Sequence, residues 1–210
     1  MTIRPEIKWM MLMGCSLSAG CATVSPLAEI ETNRPANEGA SADASSAVMR
    51  TADAIALGEA GERSNDPAAL ARAAGILDAL GAKPTTKSAQ EDIARRWIDL
   101  AAAQNPGASV PVYRGRALGP AYRNGTVSAG SDVTMEQIFL AGKKASVALV
   151  PVSKNILSIS VENGAGERLC YRTVSVKPDS CEWLPLFTDR FLIRVKTRVR
   201  TPVRYYLVSN

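Results

Sequence analysis

The amino-acid sequence predicts an α+β chain with its two classes of structure segregated: a small N-terminal helical bundle, then an antiparallel β-sandwich. Three observations carry this. Residues 46–104 repeat their apolar side chains at helical spacing. From Val110 the pattern changes to alternation with a period of two, punctuated by turn residues at spacings of roughly ten. Charge divides at the same place: residues 22–109 hold 8 Lys/Arg against 12 Asp/Glu, a net of −4, and residues 110–210 hold 15 against 7, a net of +8. Such asymmetry points to two parts with different surroundings.

The helical region spans residues 46–107. A first helix is expected over residues 46–63, weakened by Gly58 and Gly61. Ser64-Asn65-Asp66-Pro67 restarts the chain, because a capping residue precedes a proline whose missing N–H would be unpaired in a first turn anyway. The second helix gathers Leu70, Ala73, Ala74, Leu77 and Leu80 on one face and ends at Gly81. Pro84 and Thr85 form a connector, and Ser88 with Glu91 makes a capping box for the third helix. That helix carries Ile93, Trp97, Leu100 and Ala101 as its stripe and stops at Asn105-Pro106-Gly107. The first two helices resemble a tetratricopeptide hairpin, but no second copy follows at the 34-residue period of that repeat. A bundle with an apolar seam is therefore expected, with a peptide-binding groove as the alternative.

The sandwich spans residues 110–210. Asn124-Gly125 and Asn163-Gly164-Ala165-Gly166 are turn signals, and Ala141-Gly142-Lys143-Lys144 separates two strands. Residues 135–140, 145–151, 156–161, 168–173, 181–184, 191–200 and 203–208 read as strands, with Val147, Leu149, Leu157, Ile159 and Val161 pointing inward. Cys170 and Cys181 are most simply a disulfide closing a loop of about 12 residues. Trp97 and Trp183 read as core rather than stacking platforms.

The runs Gln137-Ile138-Phe139-Leu140-Ala141-Gly142, Ala145-Ser146-Val147-Ala148-Leu149-Val150-Pro151 and Leu157-Ser158-Ile159-Ser160-Val161-Glu162-Asn163 resemble the bacterial pre-peptidase C-terminal family. Cys170, Cys181-Glu182-Trp183, Phe191-Leu192-Ile193-Arg194-Val195 and Tyr205-Tyr206-Leu207-Val208-Ser209-Asn210 extend the likeness over residues 115–210. The resemblance implies a jelly-roll-like sandwich that serves as a non-catalytic accessory. Some members of that family bind calcium or polymers. Here the seven carboxylates of residues 110–210 form no D-x-D cluster, so no calcium donor set stands out.

The N-terminus has the parts of an export signal: Arg4 and Lys8, an apolar stretch over residues 9–17, then Ser18-Ala19-Gly20 before Cys21. Small residues before a cysteine resemble the lipobox of bacterial lipoproteins, whose cysteine becomes the acylated first residue of the mature chain. Cys15 competes, since Leu12 stands three residues before it, but it leaves a shorter apolar core. The expected division is a signal over residues 1–20, lipidation at Cys21 and a flexible tether over residues 21–45, poor in large apolar side chains. The same resemblance, with Ala22 after the cysteine, implies the outer membrane facing the periplasm.

The chain contains no histidine, which excludes Ser-His-Asp and Cys-His catalysis and His-ligated zinc. No nucleotide-binding, G-x-S-x-G or S-x-x-K motif occurs, so no enzyme activity, cofactor or metal is expected. Glu59 and Glu62 share a helix face, an arrangement common among surface glutamates. The distinctive run is Ile193 to Arg200, where Ile193, Val195, Thr197 and Val199 alternate with Arg194, Lys196, Arg198 and Arg200, and Arg204 stands ready to extend the charge. Either this face binds an anionic partner, a lipid headgroup, lipopolysaccharide core or acidic protein, or it is a solvated exterior whose charges discourage edge pairing. Nucleic acid is not expected, because few aromatics interleave with the charges. The expected function is an accessory binding module for an envelope component or partner protein, with assembly of a larger complex through the helices as the alternative.

The export signal predicts that Cys21→Ala stays unlipidated and leaves the membrane fraction. Retained lipidation in Cys21→Ala, together with its loss in Cys15→Ala, would move the anchor to Cys15.

Overall fold

The computed structural model describes residues 36–85, 92–105 and 119–210. The export signal, Cys15, Cys21, residues 22–35, Ser88, Glu91 and Pro106-Gly107 lie outside the described residues. Among the described residues three helices form: α1 (Ala36–Ser64), α2 (Pro67–Ala79) and α3 (Ile93–Gln104). Helix α1 starts at Ala36 rather than at residue 46, so the second part of the expected tether is helical. Alanine has the strongest helix propensity, and this stretch holds four alanines, Ala36, Ala40, Ala42 and Ala44. Asp66 caps α2 by accepting from the backbone N–H groups of Ala68 and Ala69 at 3.0 and 3.1 Å. Asp92 caps α3, accepting from Arg95 N–H; the expected box of Ser88 and Glu91 falls outside the described residues.

The helix glycines have a packing role. A Cβ at Gly58 would lie 2.3 Å from the Trp97 ring, and one at Gly61 would lie 2.9 Å from the Ala69 side chain. Their bare backbone admits α3 and α2 against α1. Trp97 is fully buried there, as the sequence suggests.

Nine strands follow: β1 (Lys83–Pro84), β2 (Ala121–Val127), β3 (Asp132–Phe139), β4 (Ala145–Pro151), β5 (Leu157–Glu162), β6 (Arg168–Val174), β7 (Asp179–Trp183), β8 (Asp189–Thr197) and β9 (Val203–Ser209). Sheet A has the order β1-β2-β9-β4-β7 and sheet B the order β3-β8-β5-β6. With the two-residue parallel β1 set aside, the orders β2-β9-β4-β7 and β3-β8-β5-β6 are those of the two four-stranded sheets of a jelly roll. Asn124-Gly125 does not turn the chain; it lies inside β2, where Gly125 pairs with Tyr205. A Cβ there would meet the Tyr205 ring at 2.5 Å, so this glycine makes room for an aromatic side chain. The chain turns instead at residues 128–131, with Gly130 at φ +62°.

Between the sheets lie Val147, Leu149, Leu157, Ile159, Val161, Ile193, Val195 and Leu207. Cys170 and Cys181 are bonded to each other. They join β6 to β7, the edge strands of sheets B and A, so the bond closes that side of the sandwich. The chain-entropy contribution of such a loop is about 3 kcal/mol.

The helical part and the sandwich share a core, and Arg34–Asn210 is one compact unit. The outer face of sheet A presents Tyr122, Ala148, Val150, Tyr206 and Val208 to Val48, Ile55, Leu70, Leu77, Ile93 and Trp97. With both faces covered, every residue of β4 is buried. Two phenols tie the layers. Tyr206 donates to Glu59 Oε1 at 2.8 Å, and Tyr122 accepts from Ile93 N–H at 3.2 Å. Burial pushes both phenols well above their ordinary value, helped at Tyr206 by the Glu59 charge and at Tyr122 by the Asp92 charge.

A phenol that ionises later when folded stabilises fully below the ordinary tyrosine value near 10. That stability is lost as pH rises from there through the folded values. Chemical denaturation should therefore show a midpoint that falls from about pH 10 upward. The Tyr206→Phe variant should flatten part of this fall and cost about 1–3 kcal/mol at neutral pH, because Glu59 loses a buried partner. Far-ultraviolet and tryptophan signals should change together; a separate helical transition would contradict the shared core.

Candidate functional site

Because the helices cover sheet A, the open surfaces of the sandwich are the outer face of sheet B and the two loop ends. Strand β8 passes through the middle of sheet B, and its alternation buries Phe191, Ile193, Val195 and Thr197. Arg190, Leu192, Arg194 and Lys196 face outward. Arg194 lies across from Thr134 and Ser160, and its Nη1 is 3.8 Å from Asp132 Oδ2. Lys196 lies between Asp132 and Ser158, is exposed, and makes no ion pair with the described residues.

The expected basic face needs two corrections. Strand β8 ends at Thr197, so Arg198 and Arg200 lie in the following loop rather than on the strand. The hydroxyl of Thr197 turns to accept from Val199 N–H, which ends the ladder. Arg204 does not extend the patch. It lies on β9 of sheet A on the Tyr206 side, and its Nη2 reaches to 4.0 Å from the buried Glu59 carboxylate. It is part of the contact between helices and sheet. Glu59 and Glu62 are structural too: Arg96 and the Trp97 indole both donate to Glu62 Oε2, at 2.7 and 3.0 Å.

The fold gathers further cations that the sequence scatters. Loops 128–131, 152–156, 175–178 and 198–202 lie at one end of the sandwich and contain no acidic residue. Gly130 N–H donates to Val199 O, tying loop 128–131 to loop 198–202, and the Thr197 hydroxyl at the end of β8 donates to Ile156 O. Lys154, Lys177, Arg198 and Arg200 belong to these loops, and Lys196 lies just below. All five are exposed and make no ion pair with the described residues. The acids of the rim are matched elsewhere, Asp132 by Arg194 and Asp179 by Arg172, each at 3.8 Å. Lys154 and Lys177 went unnoticed in the sequence because each stands alone in its loop.

Below this rim, Lys196 and Arg198 line a cleft of about 130 Å³ with Ser158, Tyr171 and Thr173. That is on the order of four water volumes, room for a single phosphate- or carboxylate-sized group. The Tyr171 phenol is held below its ordinary value, first by hydrogen bonding with Thr173 and Ser158, then by the charges of Arg198 and Arg168. Among the described residues no group of three or more His, Cys, Asp or Glu side chains could hold a metal ion. No described helix is long and apolar enough to cross a membrane.

The opposite end has different chemistry. Leu184, Leu186 and Phe187 are exposed around a groove of about 380 Å³, with Trp183 and Phe191 in its wall and Glu167 and Asp189 on its rim. Trp183 is half-buried, packed at 4.8 Å from Phe139 and 5.3 Å from Phe191 between ring centroids.

No family model matches the chain, and no curated protein does. Among solved structures, a Yersinia pseudotuberculosis-derived mitogen is 12% identical over 44% of this chain and 85% of its own, with a TM-score of 0.36. The Aeromonas hydrophila periplasmic g-type lysozyme inhibitor PliG is 14% identical over 43% and 84%, with a TM-score of 0.31. These matches are too distant to carry an argument, and the jelly roll rests on the strand order.

The cleft's electrostatics can be read directly. The phenolate absorbance that Tyr171→Phe removes should titrate below the ordinary tyrosine value near 10. High salt should raise that midpoint by screening Arg198 and Arg168. A midpoint at or above 10 would contradict the cationic cleft.

Proposed function

We propose that this chain is a lipid-anchored protein of the bacterial envelope whose jelly roll is a non-catalytic module for an anionic envelope component. One observation supports the binding reading above others. Lys154, Lys177, Lys196, Arg198 and Arg200 come from four segments, converge at one end, and have no acidic partner among the described residues. A solvated exterior has no need to gather unmatched like charges, since their mutual repulsion disfavours the fold. The envelope address comes from the lipobox-like run before Cys21 and from the resemblance to a family of secreted accessory sandwiches.

Assembly through the helices has less support. The exposed large apolar side chains among the described residues all belong to the sandwich, from Ile138 to Phe187. The apolar stripes of the helices are covered by sheet A and by one another.

The test is co-sedimentation with isolated envelope, comparing the parent with a variant in which those five cations are Gln. The parent should bind and be released by salt. The variant should lose most binding while its stability shifts by no more than about 0.5 kcal/mol per exposed position. Equal, salt-insensitive sedimentation of both proteins would remove the binding reading.

A further inference from the structure

We infer that the partner of the cationic end is the phosphate-bearing surface of a lipid bilayer, with Ile156 and Val176 entering the headgroup boundary and Lys154, Lys177, Lys196, Arg198 and Arg200 lying along it. This deepens the anion-binding reading and rests on it.

Charge alone does not separate a bilayer from a soluble polyanion or an acidic protein. The apolar residues in the same loops do. Ile156 is 58% exposed and Val176 63%, each within two residues of an unmatched lysine. Tyr171, half-exposed and lining the same cleft as Ile156, combines an apolar ring with a polar hydroxyl, the type of side chain enriched at membrane interfaces. An apolar tip framed by cations fits a boundary where hydrocarbon begins just below phosphate. It fits a soluble polyanion poorly, because the tips would gain no apolar contact there. The cleft between Lys196 and Arg198 has room for one phosphate group, as a headgroup presents it.

The other end is the natural competitor, since Leu184, Leu186 and Phe187 are more exposed still. Its acids Glu136, Glu162 and Glu182 are paired with Arg190, Arg168 and Lys144, while Glu167 and Asp189 have no cationic partner among the described residues. That end therefore has no surplus of positive charge to draw it to an anionic surface. The end with loops 152–156, 175–178 and 198–202 combines apolar tips with cations in excess of its acids, because Asp132 and Asp179 beside those loops are matched by Arg194 and Arg172.

The experiment uses the full chain with Cys15→Ala and Cys21→Ala, so that no acyl chain can anchor it. Partition is measured onto phosphatidylglycerol-containing vesicles, onto pure phosphatidylcholine vesicles, and onto heparin as an anion without a bilayer. The parent should bind the anionic vesicles and heparin but not phosphatidylcholine. Replacing Lys196 and Arg198 with Gln should weaken vesicle binding about 25-fold, at about five-fold per cation near an anionic surface, and should weaken heparin binding too. Replacing Ile156 and Val176 with Ser should weaken vesicle binding at least about ten-fold and leave heparin binding unchanged, with an unaltered near-ultraviolet spectrum showing the fold intact. If the Ser variant partitions like the parent, insertion is wrong. Binding to heparin without binding to vesicles overturns the bilayer and leaves the anionic-partner reading standing. Binding to neither overturns both.

Discussion

Everything in this fold depends on sheet A being covered twice. An antiparallel sheet can usually leave one face in water, but here β4 and β9 carry large apolar residues on both sides. Val147, Leu149, Tyr205 and Leu207 face sheet B, while Ala148, Val150, Tyr206 and Val208 face the helices. Without α1–α3 the second set would lie in water. The hydrogen bond from Tyr206 to Glu59 fixes the seat of the helical layer, because a buried carboxylate must have a donor. Arg96 and Arg204, from opposite sides of the contact, place positive charge within 4.0 Å of that carboxylate. The acidic helical half and the basic sandwich half thus meet at one point where charge is matched.

That arrangement directs function to the sandwich's free surfaces. With one broad face occupied by helices, the molecule offers the outer face of sheet B and two loop ends of contrasting character. The cationic end is built by topology. A jelly roll sends every second connection to the same end, so solitary lysines in two separate loops become neighbours of Lys196, Arg198 and Arg200.

Much of this was legible in the sequence. The strands of the sandwich from β3 onward, the Cys170–Cys181 bond, the buried stripe of α2 and the restart at Asp66-Pro67 follow from local rules, since alternation and capping involve neighbours a few residues apart. The covered face of sheet A left a signal that can be recognised: Val147-Ala148-Leu149-Val150 and Tyr205-Tyr206-Leu207-Val208 are unbroken apolar runs, typical of strands buried on both sides. Other features left none. Gly58 and Gly125 look like breakers until the Trp97 and Tyr205 rings are seen against them. The departure of Arg204 from the basic patch depends on which sheet β9 joins, and the convergence of Lys154 and Lys177 depends on the whole strand order. The four-cation run looked like one strand face because alternation continues past Thr197, where pairing has already stopped.

The position of β9 also bears on when the protein can fold. It lies between β2 and β4 in sheet A, joining the sandwich's first strand to its third, yet it comes after every other strand in the chain. Until Val203–Ser209 is available, β2 and β4 have no common partner and Tyr206 cannot reach Glu59. Pairing over such sequence distances is slow, because the loop must close before any contact compensates for it. Completion of the sandwich core therefore waits on β9, the strand that stands farthest along the sequence from its partner β2.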